Sequence, residues 1–481
     1  MSDGQQGRRA DRAGATGPGR RGIVQRRKVD ALLVLALVLP MVVAGALAVT
    51  RGDDPATTYA AAPPTPARLT DASLVCAAAS SSTAGDVMLS RVPGMRGGDV
   101  TVRIAEGGAV DLGGPRNLEV RSGELASVAS DGDVLATGTA AAAPGLVGGR
   151  TGPARAAAEC RAPTFDEWYV GIGAAAKQSS TIELANPDEG PAVVEIALHG
   201  RPGPLIEQEL HGIRVAGHQV MRLDLSQLTP RRGTLAAHLT VVRGRVVSTV
   251  RHTYDPLGRG TPRIDFLPAQ AAPATENLLL GVPSDGDGVV NLFNPGEDEA
   301  RATVRVVSDS AIFTPAGLDE VVVPGGTVRQ LPLSQVLTRE AADGALGLQV
   351  DAAQPLVASV RVVGDDLGLI APSTAIGDDQ PVTAVVPEGP KSLVLAGAER
   401  AGVVRVTATD ARGEVLMDEQ RVEVGADRGH SLELPDDAVL VTVRSTNTTI
   451  AGTVMLTGDR IGALRLWPAD IDADVPVVRP E

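Results

Sequence analysis

Beyond residue 70 the chain is written in short runs that alternate apolar and polar residues. Examples are DVMLSRV at 86–92, DVTVRI at 99–104 and NLEVRS at 117–122. Alternation with a period of two turns every second side chain to one face, as in a strand buried on one side. Gly, Pro, Asn and Asp cluster between the runs and predict turns. Leu223 and Leu225 point one way, and Arg222 and Asp224 the other. The spacing then changes to three, from Leu225 to Leu228 and again from Leu333 to Val336, which predicts a single helical turn after the strand. Ser226 and Ser334 stand where a hydroxyl caps such a turn by accepting a backbone N–H.

The same pattern is written twice. Residues 214–228 and 322–336 are identical at seven of fifteen positions at an offset of 108. Upstream, Ile182 to Pro187 (IELANP) matches Val290 to Pro295 (VNLFNP) at the same offset, and downstream the offset drifts to 110. A period this long is a tandem domain duplication and not a solenoid. Asn186-Pro187 and Asn294-Pro295 close a strand in each copy, since Asn accepts turn conformations and Pro cannot donate to a ladder. These pairs, with Ser226 and Ser334, are read as structural turn motifs. About seven short strands per 105 residues, with no long amphipathic helix, predict a β-sandwich of immunoglobulin size. A more diverged third copy keeps Val424, Leu432 and Leu434 at offset 101 from Val323, Leu331 and Leu333, and VLVTVRSTNTTIAGTVML at 439–456 predicts a terminal hairpin. The segment before the repeats shows no convincing match to them and is β by pattern alone. Its Gly/Ala-rich stretch around 140–158 predicts a loose loop.

The fold class is therefore mainly β, as tandem sandwiches behind one N-terminal membrane helix. Residues 1–28 hold eight basic side chains against Asp3 and Asp11, a net +6 that predicts a disordered head. Ala31 to Val49 then carries no charge over 19 residues. As a helix it reaches roughly 28 Å, near the hydrocarbon thickness of a bilayer. An uncleaved anchor is the reading adopted, and a signal peptide cut at Ala46-Leu47-Ala48 is the alternative. Either way the basic flank stays cytoplasmic and the rest is extracytoplasmic. The expected organisation is a head at 1–28, a transmembrane helix at 29–49, a Pro/Ala linker at 50–70 and a stapled β domain at 71–165. Sandwich repeats follow at 166–272, 273–378 and 379–471, with a tail at 472–481. The chain as a whole carries −14, which leaves −20 outside the head. That charge disfavours binding of nucleic acid or anionic polymers.

Cys76 and Cys160 are the two cysteines, and outside the cytoplasm they read as one disulfide closing a loop of 84 residues. The basic head, the single membrane helix, this pair, EWYVGIG at 167–173, the LANP and LFNP turns and LSQL together resemble an actinobacterial family. Its members are membrane-anchored exported proteins catalogued as domain of unknown function 5719. The resemblance implies export and actinobacterial origin and brings no activity.

Catalytic signatures are missing. No HExxH, GxSxG, SxxK, phosphate loop or dinucleotide fingerprint occurs. His199, His211 and His218 are close in sequence, but the second copy has Gly326 where the first has His218, so they are not read as metal ligands. SDGDGVV at 284–290 lacks the acids of a calcium loop and reads as a turn. No catalytic, metal or cofactor-binding residue and no cofactor is assigned. Paired carboxylates for glycoside chemistry are spatial and invisible in sequence, whereas sugar sites favour aromatic platforms and this chain has two Trp, three Tyr and four Phe. Two functions follow. The first is a non-enzymatic, membrane-anchored scaffold whose partners are the membrane and other envelope proteins. The alternative is an enzyme or accessory subunit of cell-envelope glycan assembly with a site between domains.

Overall fold

The computed structural model describes residues 38–43, 65–79, 85–151, 157–283, 287–338, 342–458 and 461–475. Residues 38–43 are helical, while the rest of the expected membrane span, the basic head at 1–28 and residues 284–286 of the SDGDGVV turn lie outside the described residues. Among the described residues no helix is long and apolar enough to cross a membrane. Thr65–Val475 forms one compact unit, and it is mainly β.

Within that unit the strands fall into four modules with one shared wiring. Each module builds a first layer in the strand order 1-6-3-4 and a second layer in the order 5-2-7-8. In the second module the first layer is Asp166–Ala175, Arg232–Arg243, Ala192–Gly200 and Ile213–Val215. Its second layer is Val220–Asp224, Gln178–Ala185, Val247–Tyr254 and Arg263–Leu267. The third module repeats this, with the long strand Ala345–Val363 serving as both sixth and seventh. The fourth runs from Pro381–Val385 to Gly462–Arg465 in the same order. So does the first, from Asp71–Cys76 to Ala158–Glu159. The first module therefore shares the topology of the repeats although its sequence shows no match to them.

The alternation read from sequence is what fills the cores. Ala300–Ser308 buries Ala300, Ala302, Val304 and Val306 and turns Arg301, Thr303 and Arg305 outward. One apolar cluster per module draws on both layers. The cores are Val, Leu, Ile and Ala almost throughout, as the shortage of aromatic residues requires. The one-turn helices stand at Leu225–Leu228 and Leu333–Val336, with Leu225, Leu333 and Val336 buried.

Several expectations need correction. Asp224, not Ser226, caps the first short helix: its carboxylate accepts from the Ser226 N–H at 2.9 Å. Pro332 takes that place in the second copy and makes no side-chain cap, so Ser334 does not cap either. In the stretch around 140–158, Leu146–Thr151 is a strand and not a loose loop, while residues 152–156 lie outside the described residues. Its glycines are demanded by close approach: a Cβ on Gly148 would lie 3.0 Å from Cys160 Sγ, and one on Gly149 3.2 Å from Val385 of the fourth module. The expected hairpin at 439–456 is a crossover, because Leu440–Thr446 pairs in the first layer and Ile450–Leu456 in the second. The linker and the tail each hold a strand: Thr65–Arg68 pairs antiparallel with Asp472–Val475.

The modules close into a ring. Apolar clusters join the first to the second (Val75, Leu135, Val220, Val247), the second to the third (Val170, Ala236, Phe293, Val357) and the third to the fourth (Leu278, Leu280, Val394, Ala451). The fourth returns to the first through the terminal ribbon, through Gly145 N–H donating to the Asp470 carbonyl at 2.8 Å, and through Pro381–Val385 packed on Leu146–Thr151. At the centre the eighth strands of all four modules surround a cavity of about 30 Å³, room for one water.

Candidate functional site

The closing seam, between the fourth and first modules, differs from the other three. Among the described residues no buried apolar cluster spans it, and a cleft of about 240 Å³ opens there. One wall comes from the first module (Asp71–Leu74, Leu146–Gly148 and the segment after Glu159) and the other from the fourth (Thr383–Val385 and Leu464–Asp470), with Arg245 reaching in from the second.

A buried ionic chain forms the floor. Arg465 donates to Glu159 at 2.8 Å, to the Ala269 carbonyl at 2.8 Å and to the Pro372 carbonyl at 3.2 Å, so one guanidinium ties the fourth module to all three others. Arg161 lies 3.8 Å from Glu159 and is hydrogen-bonded to Glu167, which also accepts from Tyr169 and Ser248. Burial works against the Arg161 charge, yet Glu167, Tyr169 and Glu159 raise its pKa, and it stays a cation. Burial, with the Glu167 charge beside it, pushes the Tyr169 phenol up, so it remains a donor. EWYVGIG is thus explained as architecture. Glu167 and Tyr169 hold this chain, and Gly171 permits a bulge at φ +97° where a Cβ would strike Asn291 and Ser359 of the third module at 2.7 and 2.8 Å.

Above the floor stands Trp467, 40% exposed, with the Arg465 guanidinium 5.4 Å from its ring centre. Thr164 belongs to the wall, with its Oγ1 buried and without a hydrogen-bond partner among the described residues. Asp470 is an exposed residue of the cleft wall, with no donor to its carboxylate among the described residues. Arg245 is committed to Asp188, at 3.0 Å through Nε, and that bond raises its pKa. Cys160, bonded to Cys76, forms part of the wall.

The residues singled out from sequence sit elsewhere. Asn186 and Asn294 are fully buried clips. Asn186 Nδ2 donates to the Gly190 and Val215 carbonyls at 2.8 and 3.1 Å, and its Oδ1 accepts from Asp188 N–H. Asn294 repeats all three bonds with Asp298, Val323 and Gly296. Pro187 and Pro295 follow them in the turn. The three close histidines are not brought together: His199 donates to Gly326 O at the second seam, His211 pairs with Glu195 at the surface, and His218 occupies a turn at φ 52°. Ser180 Oγ lies 2.7 Å from His252 Nδ1, a nucleophile–base geometry, but both residues are buried and Ser180 Oγ already accepts the Gly173 N–H. Sequence reading missed the cleft, whose signal was one Trp in the linker-like stretch LRLWPADI.

No curated protein and no solved structure matches the chain. A family model described as "Family of unknown function (DUF5719)" matches residues 130–435, most of the second to fourth modules and the end of the first. The chain belongs to that family.

Proposed function

We propose that the protein is a non-enzymatic scaffold of the cell envelope. It is held by a helix over 29–49 with its N-terminus in the cytoplasm, and its tandem β-sandwiches lie outside and bind other envelope proteins. The observation that carries this reading is the ring itself: four duplicated modules are fused by three apolar seams, and their first layers end on edge strands that offer unpaired backbone groups. The disulfide and the −20 charge beyond the basic head support an exported, self-repelling surface. Crosslinking in intact cells followed by mass spectrometry should recover specific envelope proteins. Recovery of none, with cleavage or transfer of an envelope glycan by the purified chain, replaces this reading with the enzyme alternative. N-terminal sequencing of the membrane-bound protein should find the helix retained. A soluble product beginning near Val49 overturns the anchor alone.

A further inference from the structure

We infer that the cleft of the closing seam is a binding site for a saccharide, one or two sugar rings of a neutral glycan. This goes beyond the scaffold reading and does not depend on it.

The ring closes through three apolar seams and one open one, and the open seam holds an exposed tryptophan in a chain that has only two. Trp467 is braced from one face by Arg465, which is itself fixed by three hydrogen bonds, so the indole is a rigid platform. A large exposed aromatic surface costs hydration unless something covers it, and the C–H face of a pyranose fits a flat ring. Around it stand carboxylates suited to hydroxyls, those of Asp470 and Asp71.

Other ligand charges fit less well. An anion would need a free cation, but Arg161, Arg245 and Arg465 are committed to Glu167, Asp188 and Glu159. It would also meet Asp71 and Asp470. A quaternary ammonium calls for a cage of several aromatic rings, and here one ring stands among three arginines. A neutral, hydroxyl-rich ring satisfies both the platform and the carboxylates. The cleft, at about 240 Å³, lies just under the usual ~300 Å³ lower bound for small-molecule pockets and so suits a terminal unit, not a buried polymer.

The test is saturation-transfer NMR on the full chain in detergent, with the methyl glycosides of glucose, galactose and N-acetylglucosamine, and choline chloride as the cationic probe. At least one glycoside should bind, with the strongest transfer on its axial C–H face. Trp467→Ala should weaken binding at least about tenfold, Trp467→Phe should retain most of it, and Asp470→Asn should weaken it about tenfold. Thermal melts report whether each variant folds, and should Trp467→Ala not fold, the Phe and Asn variants decide. Binding of no glycoside, binding of choline alone, or glycoside binding that survives both Trp467→Ala and Asp470→Asn overturns the proposal. Partner recovery by crosslinking is unaffected by any of these results, so failure here is separable from failure of the scaffold reading.

Discussion

His252 shows what burial does to a single titratable group. It is fully buried, shares a proton with Ser180 through Nδ1 and leaves Nε2 without a partner. Burial, with Arg361 nearby, lowers its pKa to about 3. A group whose folded pKa lies below its unfolded value near 6.5 adds stability that is complete above pH 6.5 and is lost as pH falls toward 3. Urea unfolding of the wild type and His252→Gln at a series of pH values should therefore show a difference that shrinks by about 2 kcal/mol or more across that window. A constant difference would mean that the imidazole carries its charge in the folded state. None of this was legible in the sequence, where His252 is one of six histidines and belongs to no motif. The recurring Asn186 and Asn294 were legible as turn residues, but their bonds to Val215 and Val323 join segments 29 residues apart, which no local pattern exposes.

At the scale of elements, period-two alternation identified strands well because each core face is continuous and apolar. It failed where a residue is small for the sake of a neighbour. Leu146–Thr151 reads as a loop because Gly148 and Gly149 make room for the disulfide and for Val385. The same blindness hid the first module's kinship: pairing order survives in the backbone after side-chain identity has drifted. The disulfide links the first strand of one layer to the segment just after the eighth strand of the other, so it holds two layers together. Replacing both cysteines by Ser should cost on the order of 4 kcal/mol. Hydrogen exchange should then quicken in residues 71–151 first, with the third module unchanged. Uniform loss of protection would show that the four modules unfold as one.

For the whole molecule, Arg465 is the residue on which closure turns, because its side chain reaches all three other modules from a buried position. Arg465→Met keeps the volume but leaves two carbonyls without their donor and Glu159 with only the longer contact to Arg161, which should cost about 3 kcal/mol. Limited proteolysis should then cut first in the segments that line the closing seam, with the other three seams intact. Sequence pointed to four β segments in a row and gave no hint of a ring, since the contacts that close it lie between residues hundreds of positions apart, such as Glu159 and Arg465.

The terminal ribbon sets how such a ring comes undone under load. Thr65 faces Val475 and Arg68 faces Asp472, so both free ends leave from the same end of the ladder. Tension between those ends peels the ladder one hydrogen bond at a time, the geometry of a zip, where a pull along opposed strand ends would shear all of them together. A stretched molecule would therefore release its clasp at low force and meet the apolar seams only afterwards.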